Sequence, residues 1–150
     1  MKDLTNLEEL TLAGEKISGL TLKYLVNLKK LNLKDCPKIE IEQLFEVMKM
    51  SNLEEIIFCF YRSVKGNPDL INFLKRVENI LKSRISAITL LFRIFIRYEI
   101  YTLSIKSESD SKILWEIVKE KQVKGEFESV YSICDINLFI EKLVEMSKRK

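Results

Sequence analysis

The sequence predicts an α/β fold, a short right-handed solenoid with a parallel sheet on one side and a C-terminal α/β cap. A phrase of the form Asn-Leu-x-x-Leu-x-Leu, or its Ile/Phe equivalent, begins at Asn6, Asn27 and Asn52. Apolar residues at helical spacing follow the second and third phrases, and the phrase disappears beyond Ser107. We therefore assign residues 1–106 to the repeat array and residues 107–150 to a cap in the same domain.

Each phrase predicts a strand with one buried face, because outward and apolar residues alternate within it. The phrases start 21 and 25 residues apart. Self-similarity at this period is typical of leucine-rich repeats, whose parallel strands are joined by crossover segments. Leu10, Leu31 and Ile56 are therefore expected to be buried at matching positions of neighbouring strands. A fourth, weaker copy begins at Ile85.

The longer returns between phrases are predicted to be helical. The second return carries an apolar stripe between Ile41 and Met48. In the third, Asn67 is the expected N-cap and Pro68 the first helical residue of a helix that ends near Ser83. The first return, residues 17–26, is short enough to be a single turn.

The segment after the fourth copy predicts first a β structure and then the cap. Residues 93–106 are rich in β-branched and aromatic side chains. They are compatible with two strands, residues 85–97 and 99–106, or with one bent strand. In the cap, Ile113, Leu114, Ile117 and Val118 lie at helical spacing, which predicts a helix from Ser107 to a stop at Gly125.

A strand and a final helix complete the predicted cap. Residues 126–134 alternate as a strand does. Asp135 is the expected N-cap of the last helix, whose apolar stripe is formed by Ile136, Phe139, Ile140, Leu143 and Val144. Trp115 is off the main stripe of the preceding helix. It is expected either in the core or as a partly exposed anchor for a partner.

The second phrase and its continuation resemble a known family. The run Leu28-Lys-Lys-Leu31-Asn-Leu33-Lys-Asp-Cys36-Pro-Lys-Ile39, followed by Leu44, is similar to the cysteine-containing leucine-rich repeats of F-box proteins. The resemblance implies that Cys36 turns inward with a structural role, although Glu15 and Tyr61 occupy that site in the other repeats. It also implies protein–protein recognition, as the substrate-recognition part of a ubiquitin ligase adaptor. The sequence ahead of Asn6 is too short for an F-box itself.

Composition narrows the functional classes. The chain has no histidine, and its three cysteines form no Cys-x-x-Cys pair. We expect no enzyme activity, no metal, no cofactor and no small-molecule ligand, since no catalytic or nucleotide-binding motif is present. The odd cysteine count favours a reducing compartment, the cytoplasm or nucleus. Charges at Arg93, Arg97 and Glu99 interrupt the most apolar stretch and argue against a membrane span.

The expected binding surface is the outward face of the strands. Equivalent positions on parallel strands become neighbours, which places Glu8, Lys29 and Glu54 in one column and Glu9, Lys30 and Glu55 in the next. Thr11, Asn32, Ile57 and Thr89 are expected in a third column. The alternating charges either set strand register or form a strip for a partner. The residues predicted to contact a protein are Glu9, Thr11, Lys30, Asn32, Glu55 and Ile57.

Two alternatives remain open. One is a scaffold or regulatory leucine-rich repeat protein with no ligase link. The other is nucleic-acid binding through the segment from Arg62 to Arg97, which carries eight basic residues. The formal net charge of +3 is too balanced to indicate nucleic acid by itself.

Overall fold

The computed structural model describes residues 7–13, 26–35, 41–63, 68–84, 86–96, 99–108, 112–120 and 127–148. These residues form an α/β protein with one seven-stranded mixed sheet and three helices. The strands are β1 Glu9–Ala13, β2 Lys30–Asp35, β3 Glu55–Ser63, β4 Ile88–Ile96, β5 Glu99–Ser107, β6 Ile113–Glu120 and β7 Phe127–Ile133. The helices are α1 Ile41–Met48, α2 Pro68–Ser83 and α3 Ile136–Lys148. The predicted α/β class and both helical returns are confirmed.

The sheet changes from parallel to antiparallel at β4. Its strand order follows the chain from β1 to β7. Strands β1 to β4 are parallel, whereas each later neighbouring pair from β4 to β7 is antiparallel. The connections after β4 are too short for a crossover, so only hairpins can form there. The predicted parallel sheet therefore describes the first four strands alone.

Residues 93–106 form parts of two strands and not one bent strand. β4 and β5 pair along their whole length, from Ile88 opposite Ser107 to Ile96 opposite Glu99. The predicted β structure is confirmed, and the alternative left open by the sequence is resolved.

The predicted helix between Ser107 and Gly125 is wrong, because the described part of this segment is strand β6. Positions i and i+4 share a face in a strand as well as in a helix, so the spacing of Ile113 and Ile117 fits both. The deciding pattern is that Ile113, Trp115 and Ile117 are buried while Leu114 and the other intervening residues are partly exposed. Pairing with β5 and β7 on its two sides fixes the segment as a strand.

The core lies between the three helices and one face of the sheet. Phe73 of α2 packs against Phe45 of α1, with ring centroids 5.4 Å apart, and against Phe58 and Phe92 of the sheet at 5.8 and 5.6 Å. Trp115 is fully buried, so the core interpretation of this residue is confirmed.

Helix α3 covers the antiparallel half of the same face. Phe139 is fully buried and its ring lies 5.2 Å from that of Trp115. The predicted N-cap is confirmed, since an Asp135 carboxylate oxygen accepts a hydrogen bond of 2.8 Å from the backbone N–H of Asn137. The strand predicted at residues 126–134 is confirmed as β7.

Several predictions fall outside the described residues. These are the inward orientation of Cys36, the site occupied by Glu15, the N-cap role of Asn67, the helix stop at Gly125 and most of the first return. They remain predictions.

Arg84 ties the C-terminal end of α2 to the connection between α1 and β3. Its guanidinium donates hydrogen bonds of 2.5 to 2.7 Å to the carbonyl oxygens of Met48, Met50 and Leu53. It also donates to the hydroxyl of Ser86 at 2.9 Å. Partial burial lowers the pKa of Arg84, yet an arginine side chain stays charged. One side chain thus bonds three carbonyls, of which that of Met50 also accepts a 3.2 Å hydrogen bond from the backbone N–H of Leu53.

Replacing Arg84 with alanine is expected to lower the free energy of unfolding by about 2–3 kcal/mol, because hydrogen bonds from a charged donor are lost and the carbonyls of Met48 and Leu53 lose this donor. Arg84→Lys should restore only part of this, since an ammonium lacks the planar fork. Urea denaturation measures both losses. The matched control is Lys82→Ala, an exposed change two residues earlier, and a loss as large as that of Arg84→Ala would contradict the assignment.

Candidate functional site

One face of the sheet carries no described helix, and we call it the open face. All three helices pack on the other face, as the ring contacts of Phe58, Phe92 and Trp115 show. Along β4 the alternation is clear, since Leu90 and Phe92 are buried whereas Leu91 is half-buried and Arg93 exposed. An antiparallel or mixed sheet can expose one face in this way.

All six predicted binding residues lie on the open face. Glu9, Lys30 and Glu55 are direct neighbours in the strand register, and so are Thr11, Asn32 and Ile57. Together with Leu10 and Leu31, which lie between them in the sequence, they line a shallow depression of about 180 Å³. The columns predicted for these six residues are therefore present, although their contact with a partner is not tested by this geometry.

The alternating charges predicted along the columns form ion pairs between the first and second phrases. Lys29 Nζ lies 3.7 Å from Glu8 Oε1, and Lys30 Nζ lies 3.8 Å from Glu9 Oε1. Within the described part of the chain, no ion pair joins either lysine to Glu54 or Glu55. The pairs that do form are solvated, so each contributes only tenths of a kcal/mol.

Thr89 does not lie in the column predicted for it. The register pairs Thr89 with Glu55, and it pairs Leu91 with Ile57. The fourth phrase is thus displaced by two residues from the alignment that begins at Ile85. In the structure, the buried residue that pairs with Ile56 is Leu90, in a strand that begins at Ile88. The sequence alignment places Ile88 at that position.

The open face continues into the antiparallel half, which the sequence prediction missed. Here the face forms a second depression of about 400 Å³ that reaches from β2 to β6. The residues lining it on the open face are Asn32, Ile57, Leu91, Arg93, Thr102, Ser104, Lys106, Glu116 and Val118. Sequence reasoning missed the β6 contribution because it predicted a helix there. The alternation of Leu114, Glu116 and Val118 with buried residues was the available signal.

The chemistry of this second depression is an apolar centre with a charged border. Ile57 and Leu91 are paired neighbours, and both are half-buried. At the border, Lys106 Nζ lies 4.0 Å from Glu116 Oε1, while Arg93 is exposed. Such a surface can accept apolar side chains at its centre and hydrogen bonds at its rim, which is the usual arrangement of a protein interface.

The basic segment from Arg62 to Arg97 does not form a single patch among the residues with described side chains. Arg76 projects from α2 and donates a 2.9 Å hydrogen bond to Glu42, with its guanidinium 4.0 Å from the ring centre of Phe45. That hydrogen bond holds the pKa of Glu42 below its usual value. Arg84 bonds backbone carbonyls, and Arg93 lies on the opposite face of the sheet.

A further depression, of about 660 Å³, lies on the helix side between α2, the start of β6 and the start of α3. Three of its polar side chains already serve the fold. Lys82 Nζ lies 3.5 Å from Glu78, and Asp135 caps α3. Across the ranges described above, no three His, Cys, Asp or Glu residues cluster in a way that could hold a metal ion.

None of the helices described is long and apolar enough to cross a membrane. The chain matches no family model, and neither a curated protein nor a solved structure is significantly similar to it.

Proposed function

We propose that this chain is a protein-recognition module that binds its partner on the open face of the sheet. The observation that carries the proposal is a partly apolar surface centred on Ile57, Leu91 and Val118, over which no described helix packs. Apolar area left exposed on a sheet becomes stabilising when a partner removes it from water. The surrounding charges supply orientation and partner selection.

The charge of the open face favours a protein over nucleic acid. Its acidic side chains Glu9, Glu55 and Glu116 balance the basic side chains of Lys30, Arg93 and Lys106. A nucleic-acid surface needs clustered positive charge to displace counterions from phosphates. The basic residues of α2 and β4 point away from one another, so they do not supply such a cluster.

We further propose that β1 to β4 form a short leucine-rich repeat array and that the antiparallel strands and α3 cap it. The repeated geometry supports this. The carbonyl of Glu8 accepts hydrogen bonds from the N–H groups of Lys29 and Lys30, at 2.7 and 3.0 Å. The carbonyl of Lys29 accepts equivalent bonds from Glu54 and Glu55, at the same two distances. The second and third phrases thus join the preceding strand through the same pair of hydrogen bonds.

The ligase role rests on the sequence resemblance of the second phrase alone. A ligase role would place the chain in the cytoplasm or nucleus, as the recognition part of an F-box adaptor assembly. Copurification with the adaptor subunit of a cullin ligase supports that role. A partner recovered without any ligase subunit supports the scaffold alternative.

The double variant Lys30→Glu with Asn32→Arg tests the binding face. Both residues lie on the open face, and neither is a core residue. We expect the variant to keep the fold with a small loss of stability, because Lys30→Glu places a carboxylate between Glu9 and Glu55. We expect it to bind the partner about tenfold or more weakly, because two contacts at the interface reverse in charge or size. The partner is identified by unbiased pull-down with the wild-type chain, and its affinity is then measured with purified proteins.

The matched control is Lys49→Glu, an exposed change in the turn after α1, on the helix side of the sheet. It should leave affinity unchanged. Equal affinity of the wild type and the folded double variant would place the binding site away from this part of the face.

A further inference from the structure

The core leucines are less completely buried at the β1 edge of the sheet than in the neighbouring phrase. In the second phrase, Leu28, Leu31 and Leu33 are at most 1% exposed. Their equivalents in the first phrase, Leu7, Leu10 and Leu12, are only partly buried and pack against the core from its border. One more strand beside β1 would remove this apolar area from water.

The backbone at the start of β1 repeats the hydrogen-bond geometry of the inner strands, and no described strand pairs with its outer side. At the start of β2, the N–H groups of Lys30 and of Lys29 just before it donate to one carbonyl of the first phrase, that of Glu8. The equivalent donors of the first phrase are the N–H groups of Glu8 and Glu9. No residue that the structure describes accepts a hydrogen bond from either, and β1 is at the edge of the sheet.

The charges of the edge define what would fit there. Glu8 and Glu9 are exposed, and each is neighboured by a lysine at the equivalent position of β2. Lysines at the same two positions of an added strand would place each carboxylate between two ammonium groups. Acidic side chains at those positions would repel them.

We propose that the β1 edge binds a parallel, basic, amphipathic strand of another protein, with the pattern Leu-Lys-Lys-Leu-x-Leu. The backbone of this strand continues the sheet, its leucines complete the burial of Leu7, Leu10 and Leu12, and its lysines complement the charge of Glu8 and Glu9. Strand addition at an exposed edge is an established mode of peptide recognition. The opposite edge is less suitable, because β7 has a bulge at Val130 that interrupts regular pairing. This site is separate from the open face.

The test uses two labelled peptides and fluorescence anisotropy. The first has the sequence of residues 27–35, which carries the required pattern, and the second replaces its two adjacent lysines, Lys29 and Lys30, with glutamate. We expect the lysine peptide to bind the wild-type chain about tenfold more tightly than the glutamate peptide, because two cross-strand pairs change from attractive to repulsive. Failure of the lysine peptide to bind, or equal binding of both peptides, overturns the proposal.

A reciprocal variant locates the binding at this edge. Glu8→Lys with Glu9→Lys should reverse the preference, so that the glutamate peptide binds more tightly. Glu8→Gln with Glu9→Gln should abolish the preference without reversing it, and it avoids placing like charges beside Lys29 and Lys30. A preference for the lysine peptide that persists in either folded variant contradicts the assignment. Ser132→Pro on β7 is the control for the other edge and should leave binding of the lysine peptide unchanged.

Discussion

Deletion of residues 135–150 is expected to make the protein aggregate and lose cooperative unfolding. Helix α3 buries Ile136, Phe139, Leu143 and Met146 against the sheet. Without it, Trp115 and its neighbours on β6 would be exposed over an area that a soluble monomer rarely tolerates. The measurement is light scattering of the purified chain together with its thermal unfolding curve.

Two point variants in α3 serve as controls for the deletion. Phe139→Ala removes the ring that packs on Trp115 and is expected to cost about 3–5 kcal/mol, the usual range for a buried phenylalanine. Leu138→Ala changes the neighbouring residue, which is 42% exposed, and should cost less than about 0.5 kcal/mol. A soluble deletion that unfolds cooperatively would show that α3 does not cap the core.

Replacing Leu31 with alanine is expected to destabilise the protein by about 2–5 kcal/mol, because the change leaves a cavity in a packed site. Leu31 is 1% exposed and lies between Leu10 and Ile56 in the strand register. Its side chain therefore contributes to both junctions of the parallel half. Urea denaturation measures the loss.

Leu10→Ala is the matched control on the edge strand. Leu10 occupies the equivalent position of β1, where it is only partly buried, so its truncation should cost distinctly less than that of Leu31. A Leu31→Ala loss below about 0.5 kcal/mol would contradict the strand assignment, since exposed substitutions have effects of that size.

The parallel half of the fold follows directly from the repeated phrase. Three copies of one pattern predict three equivalent strands, and the observed register aligns Leu31 with Leu10 and Ile56 as the copies do. Burial agrees at Leu31 and Ile56. Leu10 is less buried than predicted, because phrase alignment identifies equivalent positions without identifying which strand lies at the edge.

The antiparallel half could be predicted only in part, for two physical reasons. Ile113 and Ile117 satisfy helical and strand periods together, so local spacing could not decide between them. The decision came from pairing with β5 and β7, which is a tertiary effect that single segments do not carry. Asp135 and the stripe of α3, in contrast, are local signals, and they predicted that helix well.

The candidate site, like the fold, could be predicted in its parallel half and not in its antiparallel half. The six residues of the parallel half were predicted from the columns of the phrase, and the structure places all six together on the open face. The contributions of Leu91, Ser104 and Val118 depend on β4, β5 and β6 being neighbours, which no repeat in the sequence indicates. The displacement of Thr89 arose at the same boundary between the repeated and unrepeated parts.

The affinity of a purified partner for open-face and helix-side variants tests the central proposal most directly. Leu91→Lys places a charge in the middle of the apolar centre, on a half-buried residue of the open face. Lys75→Glu changes an exposed residue of α2 on the other side of the sheet. Binding on the open face predicts that Leu91→Lys weakens affinity about tenfold or more while Lys75→Glu leaves it unchanged. Loss of affinity in Lys75→Glu, with Leu91→Lys binding as wild type, would contradict it.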